Sequence, residues 1–313
     1  MTGYIIRRIL MTIPVMLTVA VVVFLLLHLS PGDPAAIIAG DHATTEDIER
    51  IRVSLGFDKP LLTQFTIWMG QLLQGDLGVS VFNKVPVWEL IAQRVEPTLA
   101  LAGTTMTFAV LVAVPIGIVA AWKAGTWIDH VIMGIAVLAF SAPVFLIGYG
   151  LVYQFARTWR LLPVQGYTPF ADDFTGFWRH LVLPAITLGL VFAALLARMT
   201  RSTMLDVLNE DYIRTARAKG LAPMPVLLRH ALKNASVPIV TTIGLGIALL
   251  IGGVVVTESV FAIPGIGRLT IEAVTQRDYP IIQGVILVAS FVYVLINLAI
   301  DLAYAFLDPR IRY

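Results

Sequence analysis

Residues 9–29 read ILMTIPVMLTVAVVVFLLLHL, with no Asp, Glu, Lys or Arg among them. A helix needs about 20 consecutive apolar residues to cross a bilayer, and this run is long enough. Arg7 and Arg8 ahead of it resemble the start of a secretory signal. A secretory apolar core spans only about 7–15 residues, however, and no small-x-small cleavage pattern follows directly. An uncleaved first membrane helix is therefore expected. Five more segments of spanning length lie near residues 98–121, 131–155, 182–200, 238–257 and 281–305, each bounded by Pro, Gly or charge. Lipid offers no hydrogen bonds to a backbone, so each segment must satisfy its own amides as a helix. The alternating segments of roughly ten residues that mark an outer-membrane barrel are absent. The sequence thus predicts an all-α integral membrane protein with about six transmembrane helices.

Composition agrees. Of 313 residues, 58% are hydrophobic and 13% charged, against about 25% charged in soluble domains. The net charge of +2 and the lack of a compact basic, aromatic-interleaved patch argue against nucleic acid as a partner. With no Cys, disulfides, thiolate metal sites and a Cys nucleophile are excluded. There is no phosphate loop, no His-Glu-x-x-His and no Gly-x-Ser-x-Gly. Gly265 and Gly267 lack the third glycine and the preceding strand of a dinucleotide site. His28, His42, His130, His180 and His230 are scattered singly and are read as structural. No catalytic, cofactor-binding or metal-ligating residue is expected.

Lys and Arg set the orientation. One side carries Arg7, Arg8, Lys123, Arg201, Arg214, Arg217, Lys219, Arg229, Lys233, Arg310 and Arg312, with Arg198 at the mouth of its helix. The other side has fewer, spread over more residues, so both termini are expected in the cytoplasm. Residues 1–97 then form the first membrane helix plus an external helical insertion. Residues 98–313 form a five-helix core with a cytoplasmic loop at about 201–237. The insertion opens with Ser30-Pro31-Gly32-Asp33-Pro34, a turn. Thr44 or Thr45 would cap a helix with Ile48, Ile51 and Leu55 on one face, ended by Gly56. A second helix would follow Pro60 with Leu61, Phe65, Trp68, Met69 and Leu72 as its stripe. Asp76-Leu77-Gly78 reads as a turn, and Pro86 would begin a third helix with Trp88 and Ile91. A cap lying on the bilayer and a docking surface for a soluble partner are both compatible with this pattern.

The 201–237 loop is the informative one. Asp211 to Lys219 should be helical, with Thr215, Ala216 and Ala218 small and Gly220 suited to a left-handed C-terminal position. Pro223 and Pro225 force a turn, a second short helix should run from Val226 to Asn234, and Pro238 should open the next membrane helix. From the residues alone, two readings stand: a rigid lever that transmits motion from a cytosolic engine, or a solvated basic loop. On the fifth span, Thr241, Thr242, Gly244, Gly246, Gly252 and Gly253 suit close packing or a translocation wall. Thr257 and Glu258, at its external end, are gate or binding-protein contact candidates. Asn297 and Asp301 share a face of the last helix, where an ionisable group should face protein or water. Ser141-Ala142-Pro143 predicts a kink.

The stretch from Asp211 to Gly220, followed by Arg229-His-Ala-Leu-Lys-Asn-Ala235 and Pro238, resembles the coupling loop of ABC importer permeases. It is most similar to the dipeptide, oligopeptide and nickel branch. In the wider superfamily the loop begins Glu-Ala-Ala with Gly four residues after the second Ala. Here those positions read Arg214, Thr215 and Ala216, with Gly220 in register, and Pro238 lies farther on. Arg7-Arg8-Ile-Leu10, Pro31-Gly-Asp-Pro34, residues 55–60, Gly75-Asp-Leu-Gly78, Ser141-Ala-Pro143 and Leu183-Pro184 look like the same family. So do Ala197-Arg198, Phe261 to Gly267, Arg277-Asp-Tyr-Pro280 and Asp308-Pro-Arg310.

The resemblance implies the type I ABC importer permease fold in a bacterial inner (plasma) membrane, multi-pass. It also implies a second homologous permease subunit, two cytosolic ABC ATPases that bind ATP and Mg, and a periplasmic or lipoprotein substrate-binding protein. Arg214, Thr215, Ala216, Arg217, Ala218 and Gly220 would be the ATPase contact. Di- or oligopeptides are the favoured cargo, with glutathione, opines and nickel complexes open. An ion-gradient-driven transporter would need intramembrane carboxylates and usually a repeat, and only Asp301 qualifies. An intramembrane enzyme lacks any nucleophile or metal signature.

Overall fold

The computed structural model describes residues 2–29, 33–39, 43–54 and 56–307. Of the sequence-level expectations, Ser30 to Gly32 of the first turn, His42, Leu55 and Asp308 to Arg312 lie outside the described residues. So do the side chains of Asp301, Gly252 and Gly253. The described chain is helical: α1 (Thr2–Leu29), α2 (Pro34–Ala39), α3 (Thr45–Ser54), α4 (Leu61–Leu73), α5 (Val87–Trp122), α6 (Trp127–Ser141), α7 (Val144–Leu151), α8 (Phe174–Leu208), α9 (Asp211–Ala218), α10 (Pro223–Pro225), α11 (Leu232–Val260), α12 (Ile266–Gln276) and α13 (Tyr279–Leu307). Two π-helical stretches, Val152–Thr158 and Val226–Ala231, extend α7 and lead into α11. Among the described residues the only extended pairing is one bridge between Val79 and Pro86. Among the described residues five helices are long and apolar enough to cross a membrane, or six if α6 and α7, bent by 101° at Ala142–Pro143, count as one broken span. The bend follows from Pro143, which has no amide for the helical ladder and disfavours helix at the residue before it.

The chain divides into two compact units, residues 1–96 with 265–295, and residues 97–264 with 296–313. In the first, α3 begins with a capping box. The Asp47 amide donates to Thr44 Oγ1 at 3.3 Å, and Thr44 donates its amide and hydroxyl to Asp47 Oδ2 at 3.1 and 2.6 Å. The chain after α3 turns at Gly56, φ +72°. Pro60 precedes α4, which has no buried residue and leaves Leu61, Leu62 and Leu73 exposed. Its inner side meets α1, where Phe24, Phe65 and Trp68 stack edge-on or tilted and His28 Nε2 pairs with Gln64 Oε1 at 2.8 Å. Val87 and Ile91 pack with Leu269, Ala273, Ile281 and Val285. Buried Asp278 accepts from the Ser80 hydroxyl at 2.6 Å.

In the second unit α8 is the central element, with Leu181, Leu188, Ala193, Leu196, Ala197 and Met204 among its buried residues. Glycine permits its closest contacts. A Cβ on Gly117 of α5 would stand 2.6 Å from Thr200 Cβ and 2.8 Å from the Ala197 carbonyl oxygen. Gly244 lies against Ile300 and Gly246 against Met106, so these two glycines of the fifth span serve packing.

Three boundaries differ from the sequence expectation. The helix expected from Pro86 and the span at 98–121 are one helix, α5, running through Pro97. Proline there loses one backbone bond, but Val87 and Ile91 before it and Leu101 after it are fully buried, and that packing holds the helix together. The loop expected at 201–237 is shorter, because α8 continues to Leu208. Pro238 sits inside α11, whose helical path begins at Pro223, rather than opening it. Both extensions exist because Met204, Leu208, Val226, Leu227, Ala231 and Ala235 belong to one apolar cluster that continues from Ala193, Leu196 and Ala197.

Candidate functional site

Residues 209–222 join the ends of α8 and α10, and α9 is the element they present. Its amphipathic pattern is simple. Ile213 and Ala216, one turn apart, are buried at 0% and 9% and join the cluster of Leu208, Val226 and Leu227. Asp211, Arg214, Thr215, Arg217, Ala218 and Lys219 are exposed. Asn234 Nδ2 donates to the Tyr212 hydroxyl at 2.7 Å, fastening α9 to the first turn of α11. Arg214 pairs with Asp211 at 3.1 Å, an exposed contact of little energetic weight. Gly220 ends the element with φ +80°, the left-handed conformation that glycine adopts at least cost. The result is a short helix fixed by its apolar side and open on its basic, small-residue side. Of the six expected contact residues, Arg214, Thr215, Arg217, Ala218 and Gly220 are exposed. Ala216 points into the chain's own core, because it lies three residues from Ile213 on the same face.

The other expected site residues are placed as follows. Thr241 and Thr242 donate their hydroxyls back to the Val237 and Pro238 carbonyls at 2.8 and 2.9 Å, so both are used within their own helix. Thr257 and Glu258 are 0% exposed rather than at a surface. Glu258 Oε1 accepts from Thr98 Oγ1 at 2.7 Å, tying α11 to α5. The Thr257 hydroxyl is buried with no hydrogen-bond partner. Asn297 is half-buried on α13.

Pattern reading passed over one pair. Asp129 in the first turn of α6 is 3% exposed. Its two oxygens take Arg201 Nε and Nη2 of α8 at 2.5 and 2.7 Å, and Oδ2 also accepts the Gly125 amide at 3.0 Å. This bidentate geometry is the strongest kind of side-chain pairing, and it braces α6 against α8 seven residues before α8 ends. A lone acid amid the basic residues of a loop was the only signal available in sequence. No group of three or more His, Cys, Asp or Glu capable of holding a metal occurs among the described residues.

Long apolar helices, a broken span and a short helix docked beside them with its basic side open define a polytopic helical membrane protein. The family model for the binding-protein-dependent transport system inner membrane component matches residues 113–313, and the model for the N-terminal part of such components matches residues 1–102. A probable peptide ABC transporter permease of Sinorhizobium fredii is 52% identical over 99% of both chains. A putative peptide transport system permease of Brucella abortus is 45% identical, and a glutathione transport system permease of Salmonella choleraesuis 46% identical, each over the full length of both chains. The methionine ABC transporter MetNI contains a chain of the same fold, with TM-score 0.59 at 17% identity over 70% of this chain and 96% of that one. The chain belongs to the binding-protein-dependent transport system inner membrane component family and is a multi-pass inner-membrane permease subunit of an ABC importer.

Proposed function

We propose that this subunit forms half of a translocation pathway for di- or oligopeptides and is driven through α9 by a cytosolic ATPase. The observation that carries the reading is the two-sidedness of α9. Ile213 and Ala216 anchor it, while Arg214, Thr215, Arg217, Ala218 and Gly220 face outward. A push on that face is delivered to α8 and α11, the helices that flank it. The chain itself performs no covalent chemistry. ATP and Mg belong to two ATPase subunits, a second homologous permease supplies the other half of the pathway, and a periplasmic or lipoprotein binding protein delivers the solute. Both termini and α9 lie on the cytoplasmic side, and the insertion before α5 on the outer side. The permease contributes two packings whose relative stability ATP and the loaded binding protein shift.

The names of full-length relatives support peptides as cargo. Glutathione, itself a tripeptide, is the second reading, favoured by the glutathione permease at 46% identity. The test is reconstitution of the complete importer in vesicles. Uptake of a radiolabelled dipeptide or glutathione should require ATP, the ATPases and the binding protein together. Uptake by the permeases alone would overturn the reading.

A further inference from the structure

Arg198 is the only Lys or Arg within the six apolar segments of the sequence. Its helical neighbours show which way it faces. Ala193, Ala194, Leu196, Ala197 and Thr200 are buried in the second unit, whereas Val191, Leu195, Arg198 and Ser202 form a stripe of lesser burial. Arg198 lies two residues from the end of its apolar segment, and a guanidinium there that turns back into the span faces protein or an aqueous path rather than lipid.

The side chain also points away from the compensation nearest to it. Arg201, one turn on, takes both oxygens of Asp129 at the start of α6. Arg198 turns instead toward the far end of α6, where its guanidinium carbon sits 4.6 Å from the Phe140 ring centre. Phe140 lies about 16 Å along α6 from Asp129 at 1.5 Å per residue, directly before the break at Ala142–Pro143. An anchoring arginine sends its head group toward the interface; this one is directed at the broken part of a span. Its Nε is buried with no hydrogen-bond partner, and no carboxylate pairs with it among the described residues. The Phe140 ring offers the guanidinium no hydrogen-bond acceptor, so its N–H groups, which can grip a carboxylate two bonds at a time, are left to another partner.

We infer that Arg198 lines the translocation pathway and binds the carboxylate of the solute during passage. This rests on the reading of the cargo as a peptide, and every unmodified peptide carries such a group. An anionic solute replaces the missing counter-charge, so the site attracts carboxylates in transit without needing a buried acid of its own.

The test uses the complete importer in vesicles, with Arg198→Gln and Arg198→Lys, and reads uptake of dialanine and of its C-terminal amide relative to wild type. Arg198→Gln should cut dialanine uptake at least tenfold and amide uptake less than twofold, and Arg198→Lys should recover much of the dialanine rate. Unchanged dialanine uptake in Arg198→Gln overturns the inference. Equal loss for both solutes, or failure of the variant to co-purify with the second permease, also overturns it and assigns Arg198 to structure. Wild-type vesicles that take up neither dialanine nor glutathione overturn the peptide reading itself, whereas normal wild-type uptake with an indifferent Arg198→Gln overturns the inference alone.

Discussion

Gly220 and Asp129 show what single residues decide. At Gly220 a Cβ would have nothing within 4 Å, so space does not demand glycine; φ +80° does. A non-glycine residue held there costs about 1–2 kcal/mol, and the cost is greater for a β-branched residue than for Asn. Gly220→Val should therefore insert normally yet transport poorly, whereas Gly220→Asn should retain most uptake. Normal uptake in Gly220→Val would contradict the assigned role of α9. The Asp129–Arg201 pair makes a different prediction. Removing one partner strands the other, which costs about 3 kcal/mol for a buried pair. Asp129→Ala should lower the thermal midpoint of the purified permease more than the double variant Asp129→Ala, Arg201→Met does, because the double change leaves no uncompensated charge. Gly220 was legible because glycine at a helix end is a local signal. Asp129 was not, since its partner lies 72 positions away in sequence.

At the scale of elements, α5 and α8 approach through Gly117. A Cβ on Gly117 would meet the Ala197 carbonyl oxygen, which is backbone and cannot rotate away. Gly117→Ala should destabilise this helix pair by about 1–3 kcal/mol, the usual range for overpacking, read as a lower unfolding midpoint in detergent. The capping box of α3 is expected to respond to pH. The Thr44 hydroxyl and amide beside Asp47 hold its carboxyl below its ordinary value of 3.8. With the folded value the lower one, the stabilisation is complete above 3.8 and is lost as pH falls through the folded value. Amide protection at Thr44, whose N–H donates to Asp47 Oδ2, should thus be flat between pH 7 and 5, and Asp47→Ala should lower it at neutral pH. The caps and turns of α3, α4 and α9 were readable because they rest on neighbours in sequence. The joining of 86 to 122 into one helix, and the run of α8 past residue 201, were not. Apolar partners elsewhere in the chain outweighed the local signals of Pro97 and Arg201.

For the molecule as a whole, the absence of cysteine offers a direct topology test. Lys219→Cys should react with an impermeant maleimide only from the cytoplasmic side, and Asn83→Cys only from the periplasmic side. The reverse pattern would place α9 where no ATPase can reach it. The sequence by itself determined a helical membrane protein, the places where the chain crosses, the exposed basic side of residues 211–220 and the family, all properties of local hydrophobicity, charge and short motifs. Only tertiary structure decided that residues 265–295 pack with the first unit, that α6 and α7 meet at 101°, that Ala216 turns inward, and that Arg201 rather than Arg198 takes Asp129. The physical reason is common to all four. Each depends on which distant side chains compete for the same buried space or the same charge, and that competition is resolved only when the helices are packed.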